Sequence, residues 1–163
     1  MNSRRKIKRT PSVTSLPTEN EFNPWNCDLD AQHAWKQFGG LDLEQAYEKF
    51  CENPMFYQED FLFMGPVAFK FYFPVVDRFL RREREAWEFD DSQAWILGGA
   101  MRLQLERRLD DDLLEPVGSL CCYVQSHLQK FASAKDEQEA ISASWREVEQ
   151  LLAAARGKTV PAR

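Results

Sequence analysis

The sequence predicts an all-α protein, a compact irregular bundle of about six helices. Three observations carry that prediction. Apolar residues recur at i, i+3, i+4 and i+7 in five of six segments; Gly and Pro stand where those patterns stop; and strand-like alternation is confined to one aromatic stretch. Neither an internal repeat nor a sustained heptad is present, which argues against a solenoid or a long coiled coil.

The chain opens with residues 1–22, a basic tail of Ser, Thr, Pro, Lys and Arg with isolated apolar residues. It is read as disordered, because so little apolar surface cannot offset the entropy of ordering it. Alternative readings of this tail are a nucleic-acid or anionic-membrane arm and a mitochondrial targeting segment. Residues 23–157 form the single helical domain, and residues 158–163 are a flexible C-terminal tail.

A first helix is predicted over 29–38, with Asp28 as N-cap, Ala31, Ala34, Trp35 and Phe38 on one face, and Gly39-Gly40 as its stop. Asp42 then caps a second helix, paired with Gln45 three residues on. Leu43, Ala46, Tyr47 and Phe50 make its buried stripe, and Asn53-Pro54 ends it.

The stretch from Met55 to Phe73 holds eight aromatic residues. Alternation of Phe61 with Phe63, and of Phe69, Phe71 and Phe73, around Gly65-Pro66 suggests a short β-hairpin or irregular segment within 57–73. The favoured reading is a helix opened by Pro66 and running to about Arg84, with Lys70, Pro74, Asp77, Arg78 and Arg81 on its polar face. Ala68, Tyr72, Val75, Val76, Phe79 and Leu80 then face inward, and Pro74 bends the helix.

Asp91 or Ser92 caps the next helix, which runs to about Leu109 through Gly98-Gly99, a close helix contact or kink. Asp110-Asp111-Asp112 marks an exposed turn, and Pro116 opens a helix to about Phe131 with Val117, Leu120, Cys121, Val124, Leu128 and Phe131 buried. The last helix, from about Asp136 to Arg156, buries Ile141, Trp145, Val148, Leu152 and Ala155, and Gly157 closes it.

Charge is divided unevenly. Residues 1–18 carry five basic groups (Arg4, Arg5, Lys6, Lys8 and Arg9) and no acid, which leaves 16 basic and 26 acidic residues elsewhere, a net of −10 against −5 overall. Phosphates would be repelled by so acidic a body, so nucleic acid is not the expected partner of the globular part; a basic protein is. No apolar run is long enough to span a bilayer. Four cysteines without a spaced framework, and the lack of a secretory signal in the first eighteen residues, suggest reduced thiols and a cytoplasmic location.

Chemistry-bearing motifs fail one by one. His33 and His127 are the only histidines; Asp30 and His33 share a helix face, but the second pair that a carboxylate-bridged metal site needs is missing, so no metal and no cofactor are expected. Gly157-Lys158-Thr159 lacks the earlier glycine of a phosphate-binding loop, since Leu152 stands there. No Gly-x-Ser-x-Gly elbow is present, Cys121 lies on a buried stripe, and Cys51 and Cys122 have no marked basic neighbour, so no catalytic residue is assigned.

What remains is recognition. Phe56, Tyr57, Glu59, Asp60 and Phe61 combine acid with aromatic anchors, and Asp110, Asp111 and Asp112 add a second acidic surface; these eight are the candidate contact residues. The leading expectation is a small acidic binding protein that occupies a partner's surface. One concrete form, by class analogy alone, is an immunity- or antitoxin-type inhibitor of a basic partner. The alternatives are an enzyme or small-ligand binder with its site near Glu59-Asp60, and an adaptor docked through its basic tail.

Overall fold

In the computed structural model, residues 15–26, 28–84, 93–107 and 110–158 are described, and among them there is helix but no strand. The elements are α1 (Glu19–Phe22), α2 (Leu29–Phe38), α3 (Leu43–Glu52), α4 (Pro54–Tyr57), α5 (Asp60–Phe63), α6 (Pro66–Arg81), α7 (Gln93–Glu106), α8 (Leu114–Ser126), α9 (Leu128–Phe131) and α10 (Lys135–Lys158), with a 3-10 turn at Asp111–Leu113 before α8. The longer helices α2, α3, α6, α7, α8 and α10 are the ones that periodicity predicts. The short ones, α1, α4, α5 and α9, are single turns of four residues each.

The predicted caps of α2 and α3 are in place. Asp28 accepts from the amides of Asp30 and Ala31, and Asp42 and Gln45 bond reciprocally as a capping box. Gly39 caps α2, and Gly40 takes φ +80°, a left-handed turn that a side chain would strain. The chain then comes back under α6, where the Tyr72 hydroxyl lies 2.7 Å from the carbonyls of both Phe38 and Leu41. Burial pushes that hydroxyl's pKa up to about 12, with the Asp42 charge adding to the effect.

The aromatic stretch resolves into two single turns and a long helix, not a hairpin. Pro54 and Pro66 each sit in a first helical turn, where a missing N–H costs nothing. Two-residue spacing of Phe is therefore not a strand signature here; it spreads rings around α5 and α6 in a core with aromatic neighbours on several sides. α6 buries Ala68, Phe69, Tyr72, Phe73, Val75, Val76, Phe79 and Leu80 and keeps Pro74 exposed.

Two layers share one core. α3 packs on α6, α2 and α7 on α5, and α1 on α2 and α6; the second layer is α10 against α7, α8 and α9. Trp145 of α10 stands at the centre of that second layer, fully buried, its indole N–H donating 2.7 Å to the carbonyl of Ala94. Gly98 lets α7 approach, since a Cβ there would lie 2.5 Å from the Ser144 hydroxyl and 2.9 Å from the Trp145 indole nitrogen; Gly99 faces open space.

Several expectations are corrected. The disordered reading of residues 1–22 fails for its last part: Thr18 and Glu21 form a capping box on α1, Pro17 is buried, and Phe22 is wholly inside the core. One aromatic anchor suffices to order a short segment when it finds a matching hole, and Phe22 meets the rings of Trp35 and Tyr72. Residues 1–14, Cys27, the caps Asp91 and Ser92, Leu109 and residues 159–163 lie outside the described residues.

The helix predicted from Pro116 starts earlier, at Leu114, and breaks at His127 before α9. Gly157 does not close α10 but lies within it, and Ala155 is half-buried. Leu43 belongs to the expected buried stripe of α3, yet as the first residue of that helix it is exposed. Cys51 and Cys122 are exposed, and Cys121 is buried.

Candidate functional site

The predicted contact residues separate into two places. Phe61 is fully buried between Phe38 and Phe50, so it builds the core and presents nothing to a partner. Tyr57 is half-buried, edge-on to Phe38 and Phe56. Glu59 and Phe56 remain accessible, and Phe56 and Met55 at 53% and 69% exposure form an apolar knob on α4. Leu29, at 80% exposure, begins α2 one turn before His33, whose ring lies 5.8 Å from that of Phe56.

Asp60 is only 4% exposed and does not act as a surface charge. One of its oxygens meets Nδ1 of His33 at 2.8 Å, and the other has no hydrogen-bond partner. Burial raises the Asp60 pKa, while the bond to His33 opposes that shift. With Nδ1–H donating to Asp60, Nε2 of His33 accepts from the Gln37 amide at 3.3 Å. This is a base held in one orientation by an acid. The ring's bonded partners are Asp60 and Gln37, with no Ser, Thr or Cys among them, and no group of three His, Cys, Asp or Glu side chains among the described residues could hold a metal.

The second place is a groove of about 1030 Å³ between residues 15–17, the start of α3 and the first turns of α6. Its apolar surface comes from Leu16, Leu43, Val67 and Phe71, of which the first three are exposed. Three carboxylates line it: Glu21 from the α1 capping box, Asp42 from the α3 cap, and Glu44. The local fold explains the cluster, because helix starts favour acidic residues, and Glu21 stands in the first turn of α1 while Asp42 and Glu44 stand at the start of α3.

The groove's cation, Lys70, is already engaged. Its ammonium lies 2.7 Å from Asp110 and 2.8 Å from Asp112, the first and last residues of the predicted acidic turn. That hydrogen bond to Asp110 raises the Lys70 pKa and holds the Asp110 carboxyl below its usual range. All three groups are solvated, so the cluster adds little to stability. Glu44 likewise meets Arg78 at 2.7 Å, and that guanidinium lies over the Tyr47 ring. The Asp triplet is thus joined to the groove through Lys70, which no sequence spacing suggested.

No family model, no curated protein and no solved structure matches this chain. The geometry is what bears on function.

A second concavity, about 670 Å³, runs between α8 and α10 beside Cys122, Gln125, Arg146 and Arg156. Its acids and bases alternate, with Arg156 meeting Glu115 at 3.1 Å, so it presents no charge of one sign. Cys121 beneath it donates to the Trp145 carbonyl at 3.3 Å, and burial pushes its thiol up to about 11. The expectation of a buried, unreactive thiol matches this environment. His127 stacks on Tyr123 and bonds the Tyr123 carbonyl at 2.7 Å, closing the end of α8.

None of the groove's lining residues, among them Leu16, Glu21, Asp42, Leu43, Glu44 and Val67, was among the eight predicted contact residues, and neither was His33. Leu16 and Val67 lie far apart in the chain and line one groove only in the folded structure, so no local pattern connects them. His33 had one usable signal, its place one turn before Gln37 on a helix face that also carries Leu29.

Proposed function

We propose that this protein is an acidic binding module that takes a basic, apolar-anchored segment of a partner protein into the groove formed by residues 15–17, α3 and α6. The carrying observation is that exposed Leu16, Leu43 and Val67 share one concavity with Glu21, Asp42 and Glu44, while its lysine is engaged by Asp110 and Asp112. Exposed aliphatic side chains supply the anchor pockets. The carboxylates supply orientation and a faster encounter with a positive ligand. An inhibitor that covers a basic protein is one form of this reading, and the −10 net charge outside residues 1–18 favours it.

The test uses a labelled peptide of alternating Leu and Lys, titrated by fluorescence anisotropy at low and moderate salt. Association should be rapid at low salt and slow markedly near 0.1 M, where screening shortens charge attraction to about 10 Å. Val67→Lys should weaken binding at least tenfold, while Phe56→Ala should leave it unchanged. A peptide that binds equally to Val67→Lys and to wild type, or a Glu-for-Lys peptide that binds as well, refutes the reading.

A second reading is favoured by the His33–Asp60 pair beside exposed Leu29 and Phe56: a small-ligand site on the α2–α4 face. A ligand retained in native mass spectrometry and lost in His33→Ala would support it over the groove.

A further inference from the structure

We propose that the groove's first competitor is this chain's own N-terminal segment, so that Arg4, Arg5, Lys6, Lys8 and Arg9 lower its affinity for any basic partner. The inference rests on the reading of the groove as a site for basic segments and adds the regulation of that site.

Placement is the first argument. Ser15, Leu16 and Pro17 themselves line the groove, and Pro17 is buried, so the chain is fixed at the groove's wall just where the basic residues precede it. From Arg9 to Ser15 is a span of at most about 20 Å when extended, which suffices to reach across to the α3 and α6 side chains. Composition is the second. The preceding residues carry five basic groups and no acid, with Ile7 and Val13 among them, the same pairing of positive charge and isolated aliphatics that the groove's carboxylates and apolar floor would accept. The third argument is mass action. Attachment so close to the site gives the segment an effective concentration on the order of 1 mM. A segment too weak to bind well as a free peptide, with Kd around 0.1 mM, would still lower a partner's apparent affinity about tenfold.

Experiment: compare the full-length chain with a full-length variant in which Arg4, Arg5, Lys6, Lys8 and Arg9 are all changed to Gln. None of these side chains belongs to a described helix, and equal circular dichroism and melting temperature establish equal folding. Two labelled probes are titrated: the alternating Leu–Lys peptide, and a free peptide of residues 1–14. Both should bind the Gln variant about tenfold more tightly than wild type, and Val67→Lys in the Gln background should abolish the gain. If the Leu–Lys peptide binds both chains equally through the groove, the inference fails while the groove reading stands. If neither probe binds the Gln variant, the groove reading fails with it. A concentration-dependent dimer that disappears in the Gln variant would overturn the intramolecular form, because the segment would then occupy a second copy.

Discussion

Replacing Phe22 by Ala tests whether the residues before α2 belong to the core. Phe22 is fully buried, with its ring 5.3 Å from Trp35 and 5.7 Å from Tyr72, and its carbonyl accepts from the Gly65 amide at 2.7 Å. That bond and the α1 capping box hold the backbone in place, so the site cannot collapse easily around a truncated side chain. Phe→Ala at such a position costs roughly 3–5 kcal/mol, cavity and lost ring contacts included. For a chain of this length each kcal/mol moves the midpoint by about 2–4 °C, so the melting temperature should fall by roughly 6–20 °C. Urea denaturation followed by circular dichroism at 222 nm measures it directly. Phe22→Leu, which leaves most of the hole filled, should lose markedly less. A loss below about 1 kcal/mol for the alanine variant, against the cost expected of a closed cavity, would mean that residues before α2 do not belong to the core.

Deletion of residues 1–18 should also destabilise, because it removes buried Pro17 and the Thr18 cap, whose loss alone costs about 1 kcal/mol; an unchanged melting temperature would contradict the described α1. Gly98→Val should cost about 1–3 kcal/mol by forcing α10 away, whereas Gly99→Ala, with nothing near it, should be neutral or stabilising; equal effects would refute the close approach at Gly98. The Asp60 pKa is raised by burial, so the folded state holds this proton more tightly than the unfolded chain. The group's contribution is then fully present below 3.8 and is lost as pH rises through the folded-state value. Wild type should lose stability relative to Asp60→Asn over that rise, and a difference that is flat with pH contradicts the assignment. In native protein, iodoacetamide should modify Cys51 and Cys122 well before Cys121, as read by peptide mass mapping; early modification of Cys121 would show that its site opens.

How far the sequence could be read depended on whether a signal was local. The stripes of α6 and α10 were legible because burial there follows a 3.6-residue period, and Tyr72, Phe79, Trp145 and Val148 are buried as that period requires. The caps of α2 and α3 were legible for the same reason, since an N-cap and its partner lie within three residues. Phe22 was not, because a single aromatic in a polar segment has no period; its burial is decided by a hole between α2 and α6. The candidate site fared similarly. Glu59 and Asp60 are neighbours in sequence, but one is exposed and the other is turned inward to His33, 27 positions away. The acidic turn at 110–112 was visible as a turn, while its link to the groove runs through Lys70, 40 residues earlier, which no spacing rule encodes.

The single turn α5 is held in an uncommon way. Gln104 of α7, fully buried, donates from one amide nitrogen to the carbonyls of Phe61 at 3.2 Å and Met64 at 2.8 Å, serving the backbone as the following turn of a longer helix would have done. A carboxylate of the same shape has no hydrogens to give and would face two carbonyl oxygens, so Glu is excluded there as firmly as Leu. The acceptors, however, are present whatever side chains stand at 61 and 64. Among descendants of this sequence, position 104 should therefore stay an amide while its two contacts drift freely in identity. Methods that find spatial neighbours by correlated substitution will miss this contact, because one side of it is written in the main chain and never mutates.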